Sequence, residues 1–308
     1  MPHLLAAVWV FLLAACGGDA APTDPGSPSP TSPTSATGTP GPIGDTPSPT
    51  ADSATTRPAA STDFAATGPA LVTLHPGTLQ LSCSLGYTEF RPDGDASGPL
   101  LVLGHGFQRG EKHMADLAAH VASHGVRVAT PDYCHSSVFD TDHALNATDA
   151  VALGAALAPA GPVAHAGQSA GGLAAFLAAS TDPHALAYLG LDPVDADGLA
   201  AATTVPVPVW AVFGEPSLCS SQANMLGTVQ AQGVASAIPG ATHCDFEAPT
   251  DALCTGVCGR QTDVTPLVRA LLAAFAAHHL GDDPTAIDWL PGGTRHEELE
   301  AAGVLLAL

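Results

Sequence analysis

Basic residues are nearly absent. Eight Lys and Arg stand against 29 Asp and Glu in 308 residues, Lys112 is the sole lysine, and the formal charge is −21. Electrostatic capture of nucleic acid needs basic stripes that neutralise phosphates, and adhesion to anionic lipid needs basic patches. Neither exists here. Charge of either sign is also scarce: 12% of residues carry it, about half the usual globular share, while 46% are hydrophobic. A long disordered acidic chain is thereby excluded for most of the length. There is no phosphate-cradling P-loop and no dinucleotide fingerprint. A second cysteine pair of zinc-finger spacing is missing too, so the C-x3-C pair Cys254 and Cys258, with His243 nearby, does not point to zinc. No metal and no cofactor are expected.

The apolar run 4–15 is too short for a permanent membrane span and suits a signal-peptide core. It ends in Leu13-Ala14-Ala15-Cys16, which is similar to a bacterial lipobox. The segment before it, Met-Pro-His, lacks Lys and Arg. The expectation is export, with residues 1–16 as signal and Cys16 as the lipidated anchor to the cell-envelope membrane. The alternative is a secreted protein cleaved near Ala15. Residues 17–68 are Pro, Ser, Thr, Gly and Ala, with Phe64 the one aromatic residue, and show no periodic apolar face. Such a stretch cannot offset its ordering entropy and reads as a tether, about 40 Å across as a coil. Residues 69–308 form the domain. Six cysteines fall in it, Cys83, Cys134, Cys219, Cys244, Cys254 and Cys258. An even number in an exported domain favours disulfides, and fifteen pairings are open.

Within the domain, apolar runs of four to seven residues alternate with helical segments behind Gly- and Pro-marked turns. Strands are expected at 100–103, 126–129, 162–166, 188–191, 207–213 and 234–238; Pro131 should end the second. Helices are expected at 111–124, 142–157, 169–180, 222–232 and 266–279. The strands read as continuous apolar runs, so both sheet faces should be covered. The pattern implies a doubly wound, mostly parallel α/β sheet with helices on both faces and no large cap domain. Ligands should then bind at the carboxyl ends of the strands.

Gly167-Gln168-Ser169-Ala170-Gly171 lies between an expected strand and an expected helix. Glycines two before and two after the serine let that turn tighten and leave Oγ exposed, while the helix N-terminus faces developing negative charge. A serine needs a base. His243 follows the last strand, in Gly240-Ala-Thr-His243. His120, His124, His165, His278 and His279 read as packing or helix-end residues. Three acids compete to orient the imidazole: Asp192 after 188–191, Asp195 three residues on, and Glu215 after the next strand. The backbone N–H groups of Ala170 and Phe107, the latter in Gly104-His105-Gly106-Phe107, are the oxyanion-hole candidates.

Those four motifs in this order resemble an α/β-hydrolase esterase. The chain is similar to the chlorophyllase and platelet-activating-factor acetylhydrolase branch and, more distantly, to cutinase-like polyester hydrolases. The resemblance covers roughly residues 70–280. It implies that the acid lies in the segment Leu191-Asp-Pro-Val-Asp195, which raises Asp192 over Glu215. In the polyester hydrolases an Asp would be expected near Ser217, where this chain has Gly-Glu-Pro-Ser. Many relatives also carry His where this chain has Gln168. The expected activity is hydrolysis of accessible short- to medium-chain esters, small or lipid-like, by a monomer. Acyl transfer or polyester hydrolysis on the same residues, peptidase action and a non-catalytic module are the other classes.

Overall fold

The computed structural model describes residues 62–93 and 97–308. The expected signal, Cys16 and most of the expected tether lie outside them. The tether expectation ran to Gly68, yet the chain from Thr62 onward already packs on the domain. Phe64 is fully buried, edge-on to Trp289 at 6.1 Å, and its carbonyl bonds to the His120 ring at 2.8 Å. A single aromatic residue changes the balance for this short segment, because its burial is worth about 1.5–3 kcal/mol.

The domain is an α/β structure on a nine-stranded, mostly parallel sheet. In chain order the elements are β1 (Val72–Gln80), β2 (Ser84–Pro92), β3 (Leu100–Gly104), α1 (Ala115–Ser123), β4 (Arg127–Asp132), a small hairpin β5 (Ser136–Ser137) and β6 (Asp140–Thr141), and α2 (His143–Leu157). Next come β7 (Val163–Gln168), α3 (Ala170–Thr181), β8 (Ala185–Leu191), β9 (Val209–Phe213), α4 (Leu226–Gln232) and β10 (Val234–Ala237). The chain closes with α5 (Ala252–Val257), α6 (Thr265–His279), α7 (Thr294–Ala301) and β11 (Leu306–Ala307). The sheet order is β1-β2-β4-β3-β7-β8-β9-β10-β11. Strands β4 to β10 in that order pair parallel, while β1, β2 and β11 add antiparallel edges.

Alternate residues of each central strand feed opposite layers, as the period of two requires. Leu101, Leu103, Ala164, Ala166, Leu189, Leu191 and Val212 join α1 and α6 in one core. Leu100, Val102 and Val163 meet α2 and α3 on the other side, and Val209, Ala211 and Phe213 pack with α4 there. Helices therefore cover both faces. Strand β4 continues through Pro131 to Asp132, beyond its expected end, because β2 pairs antiparallel with it and places Tyr87 opposite Pro131. The tail past Gly281 returns to the domain: α7 buries His296 and Leu299, and β11 closes the sheet edge.

The chain order reverses between β3 and β7. From β3 the chain winds outward to β4, then crosses back and winds the other way through β7, β8 and β9. The loops leaving β3 and β7 meet at the carboxyl ends of these strands, where doubly wound sheets place their ligands, and Gly106 there approaches Ser169.

Candidate active site

Ser169 sits between β7 and α3 with φ 55° and ψ −126°. A non-glycine residue in that region costs on the order of 1–3 kcal/mol and is held only by its surroundings. Here the Ser169 N–H donates to Leu191 O at 3.1 Å, and its carbonyl accepts from Gly172 N at 2.9 Å and Val194 N at 3.2 Å. The flanking glycines are needed for space. A Cβ on Gly167 would lie 2.2 Å from Gly171 O, and one on Gly171 would lie 2.3 Å from His105 O. Strand, helix and the loop after β3 thus close on the serine at contact distance. Ala170 is the first residue of α3, so its N–H has no intrahelical acceptor.

Asp192, also at positive φ (45°), directly follows β8 and is fully buried. Its N–H donates to Val212 O at 2.7 Å, Oδ1 accepts the Gly214 N–H at 3.1 Å, and Oδ2 lies 2.6 Å from His243 Nδ1. His243 opens a 3-10 turn, His243–Phe246, whose start is held reciprocally by Thr242 and Asp245. Asp245 also accepts from Thr262 N at 2.6 Å, which ties the turn to the chain beyond α5. Asp192 and His243, 51 residues apart, are therefore paired in a buried site. Glu215 is exposed and accepts the Gly240 N–H at 2.9 Å, bracing the loop that carries His243. Asp195 accepts from Ala200 N and Ala201 N and orders its own loop. Neither alternative acid is bonded to the imidazole.

The loop after β3 forms the facing wall. A Cβ on Gly106 would stand 3.1 Å from Ser169 Cβ, so a side chain there would crowd the serine. His105, fully buried, donates from Nδ1 to Gly106 O at 2.8 Å, and Nε2 accepts the Tyr133 N–H at 3.0 Å. The Tyr133 bond needs the neutral ring, since a protonated Nε2 cannot accept, and burial pushes the ring's pKa down to about 4. Gln108 takes φ 56° and donates to Ser136 O at 2.7 Å, joining the loop to the β5–β6 hairpin. The hairpin lies in the connection after β4 that sequence places beside the site. Arg109 grips Glu247 through two bonds, 2.7 and 2.6 Å, and reaches Asp251 at 3.0 Å. Sequence reasoning missed this buried clamp, because its partners lie 138 residues apart without a motif.

Phe107, Ser169 and His243 line one cavity of about 160 Å³, with Arg109, Glu247, Leu253 and Val257 at its sides. Its remaining wall is cystine. Cys244–Cys254 and Cys219–Cys258 (Cα–Cα 5.9 and 5.5 Å) cross-link the chain around His243, while Cys83–Cys134 (6.5 Å) fastens the β1–β2 turn to the loop after β4. The sulfurs of Cys244, Cys254 and Cys258 lie within 4.8 Å of one another. Committed to disulfides, they offer no thiolate to a metal. A wider polar depression of about 490 Å³ runs between Asp116, Thr262 and Arg269, and no histidine lines it. The smaller cavity is the chemically equipped one. Among the described residues no helix is long and apolar enough to cross a membrane.

No protein-family model matches this chain, and a search of curated proteins finds none significantly similar to it.

Proposed function

We propose that this protein is a serine carboxylic ester hydrolase with an α/β-hydrolase fold, doubly wound and without a large cap. The reading is carried by one observation: buried Asp192 holds His243 at 2.6 Å in the cavity that the strained Ser169 lines. Asp192 orients the imidazole with its proton on Nδ1, leaving Nε2 to act as the base. Ser169 Oγ attacks the ester carbonyl carbon as its proton passes to His243 Nε2. The carbonyl electron pair moves onto oxygen, where the Ala170 and Phe107 N–H groups receive the charge. Collapse expels the alcohol, which takes the proton from His243, and leaves an acyl group on Ser169. Water, deprotonated by His243, then releases the acid and restores the serine. Electrostatic placement at the oxyanion and proton transfer together supply the catalysis, and no step draws on a metal or cofactor.

The cavity of about 160 Å³ suits short to medium acyl groups, with Phe107, Leu253 and Val257 as apolar surface. The disulfides fit export to an oxidising compartment, with Cys16 lipidated and the domain tethered to the envelope membrane. The test follows nitrophenol release from C2 to C12 acyl esters by the oxidised domain beside its Ser169→Ala variant. Turnover by wild type and none by the variant is expected. Inertness of the folded wild type on every chain length would overturn the reading.

A further inference from the structure

The residue next to the nucleophile makes a contact that hydrolysis does not call for. Gln168 is buried, and its Nε2 stands 3.0 Å from His243 Nε2 and 3.4 Å from His243 O. Its Oε1 is buried without a hydrogen-bond partner. Room for that oxygen exists only because residue 106 is glycine, where a Cβ would come within 2.3 Å of it. The orientation of the amide follows from the partners. Two acceptors, the imidazole lone pair and a carbonyl, face one end, so the NH₂ group turns to them and the carbonyl oxygen is left over. An unpaired buried acceptor is costly, so the His243 contact must be worth holding.

With Asp192 on Nδ1, neutral His243 has one lone pair, on Nε2. The described hydrogen bond at that nitrogen comes from Gln168, although the base must receive the Ser169 proton there. We propose that Gln168 is a positioning residue that latches the base: it donates to His243 Nε2 in the resting enzyme, and Ser169 must displace it to react. The proposal rests on the esterase reading for its kinetic consequence but not for the hydrogen bond itself.

A bond donated to the neutral ring favours that form, so removing the donor should shift the balance toward the charged ring. The other charged groups around the ring stay in place when Gln168 is changed. Asp192 comes from the end of β8, Arg109 and Glu247 pair across the cavity, and Asp245 on the same turn is spent on Thr242 and Thr262. Asp251 and His113 reach Arg109 rather than the imidazole. Gln168→Met keeps length and removes the donor. Gln168→Glu replaces the donor with an acceptor that favours the charged ring.

Two readouts test this. The acid limb of kcat/KM should move upward by about half a unit or more in the Met variant and further in the Glu variant. On the plateau, the Met variant should match wild type or exceed it by up to about tenfold, since its base is uncontested. NMR titration of wild type and both variants, with the His243 ring assigned by its loss in His243→Gln, should give the same order of midpoints. In wild type the Gln168 side-chain amide signals should shift with the same midpoint as the ring. A Met limb at the wild-type position, rate loss at all pH without a shift, or Gln168 amide signals indifferent to the ring would each overturn the latch. If the midpoints order as expected but no ester turns over and Ser169 takes up no fluorophosphonate, the esterase reading fails and the latch stands.

Discussion

Four neighbouring strands, β3, β7, β8 and β9, end at the candidate site, and they end differently. At the ends of β3, β7 and β8 the chain places polar side chains out of solvent: His105, Gln168 and Asp192. Beyond β9 it places Glu215 in solvent. Asp192 and Glu215 follow adjacent parallel strands, and both carry a carboxylate toward the region of His243. One binds the ring; the other binds the backbone of the loop that delivers it. Proximity at a sheet edge is therefore insufficient to assign an acid. Burial decides, because a carboxylate out of solvent is tolerable only where donors surround it, and those donors define its role.

The largest expected effects concern the buried ends. Ser169→Ala should reduce ester turnover roughly 10⁴- to 10⁶-fold, equivalent to about 5.5–8 kcal/mol, while the fold persists. Retained turnover would remove the premise of the comparison. Asp192→Asn should cost roughly 10³- to 10⁴-fold in kcat, about 4–5.5 kcal/mol, because an amide lets the wrong imidazole tautomer form. Equal damage from Glu215→Gln would break the distinction between the two strand ends.

Two further changes act on stability. Arg109→Gln leaves Glu247, almost fully buried, without its bidentate partner. The expected loss is about 3–5 kcal/mol in urea unfolding, and a loss under about 1 kcal/mol would make the clamp ornamental. His105 couples the fold to pH. Unfolded, its ring takes a proton near pH 6.5; folded, not until about pH 4. Between those values the unfolded state binds more protons, so stability is complete above about 6.5 and falls as pH drops toward 4. The difference is on the order of 3 kcal/mol. His105→Gln should be less stable at neutral pH but show a shallower loss across that window. An unchanged slope would mean that the folded ring takes its proton as readily as the unfolded one, with the Tyr133 bond given up at little cost.

How much of this was readable from sequence depends on how local each signal is. The elbow at Ser169 announces itself in five residues: Gly167 is required by Gly171 four positions on, although Gly171 itself answers to His105 in the distant loop after β3. His243 and Asp192 were legible through chain order and strand ends, with Glu215 and Asp195 left open because burial is a tertiary property. The β1–β2 hairpin was not read: β1 is mostly exposed and carries Pro76 and Gly77, so no apolar run marks it. The disulfide pairing, the Arg109–Glu247 clamp and the Gln168 contact join segments from 10 to 138 residues apart. Each depends on where helices and loops come to rest, which no spacing encodes. Phe64 was visible as the lone aromatic of its stretch, but its partner Trp289 lies in a tail that sequence left unassigned.

Glu215→Gln sharpens the comparison because it should do so little. The amide keeps an oxygen to accept the Gly240 N–H, and exposure lets water compensate for whatever the lost charge contributed. Gly240 has φ 75°, a conformation its own backbone tolerates, so the brace spans a turn that is already formed. Turnover should stay within about twofold and stability within about 0.5 kcal/mol. Glu215→Ala removes the acceptor as well, and about 1 kcal/mol should go with it, seen as a lower urea midpoint rather than a changed pH profile. If Glu215→Gln instead moved the acid limb of kcat/KM, the exposed carboxylate would be acting on His243 through space. The division between a buried end that binds the ring and an exposed end that braces its loop would then have to be redrawn.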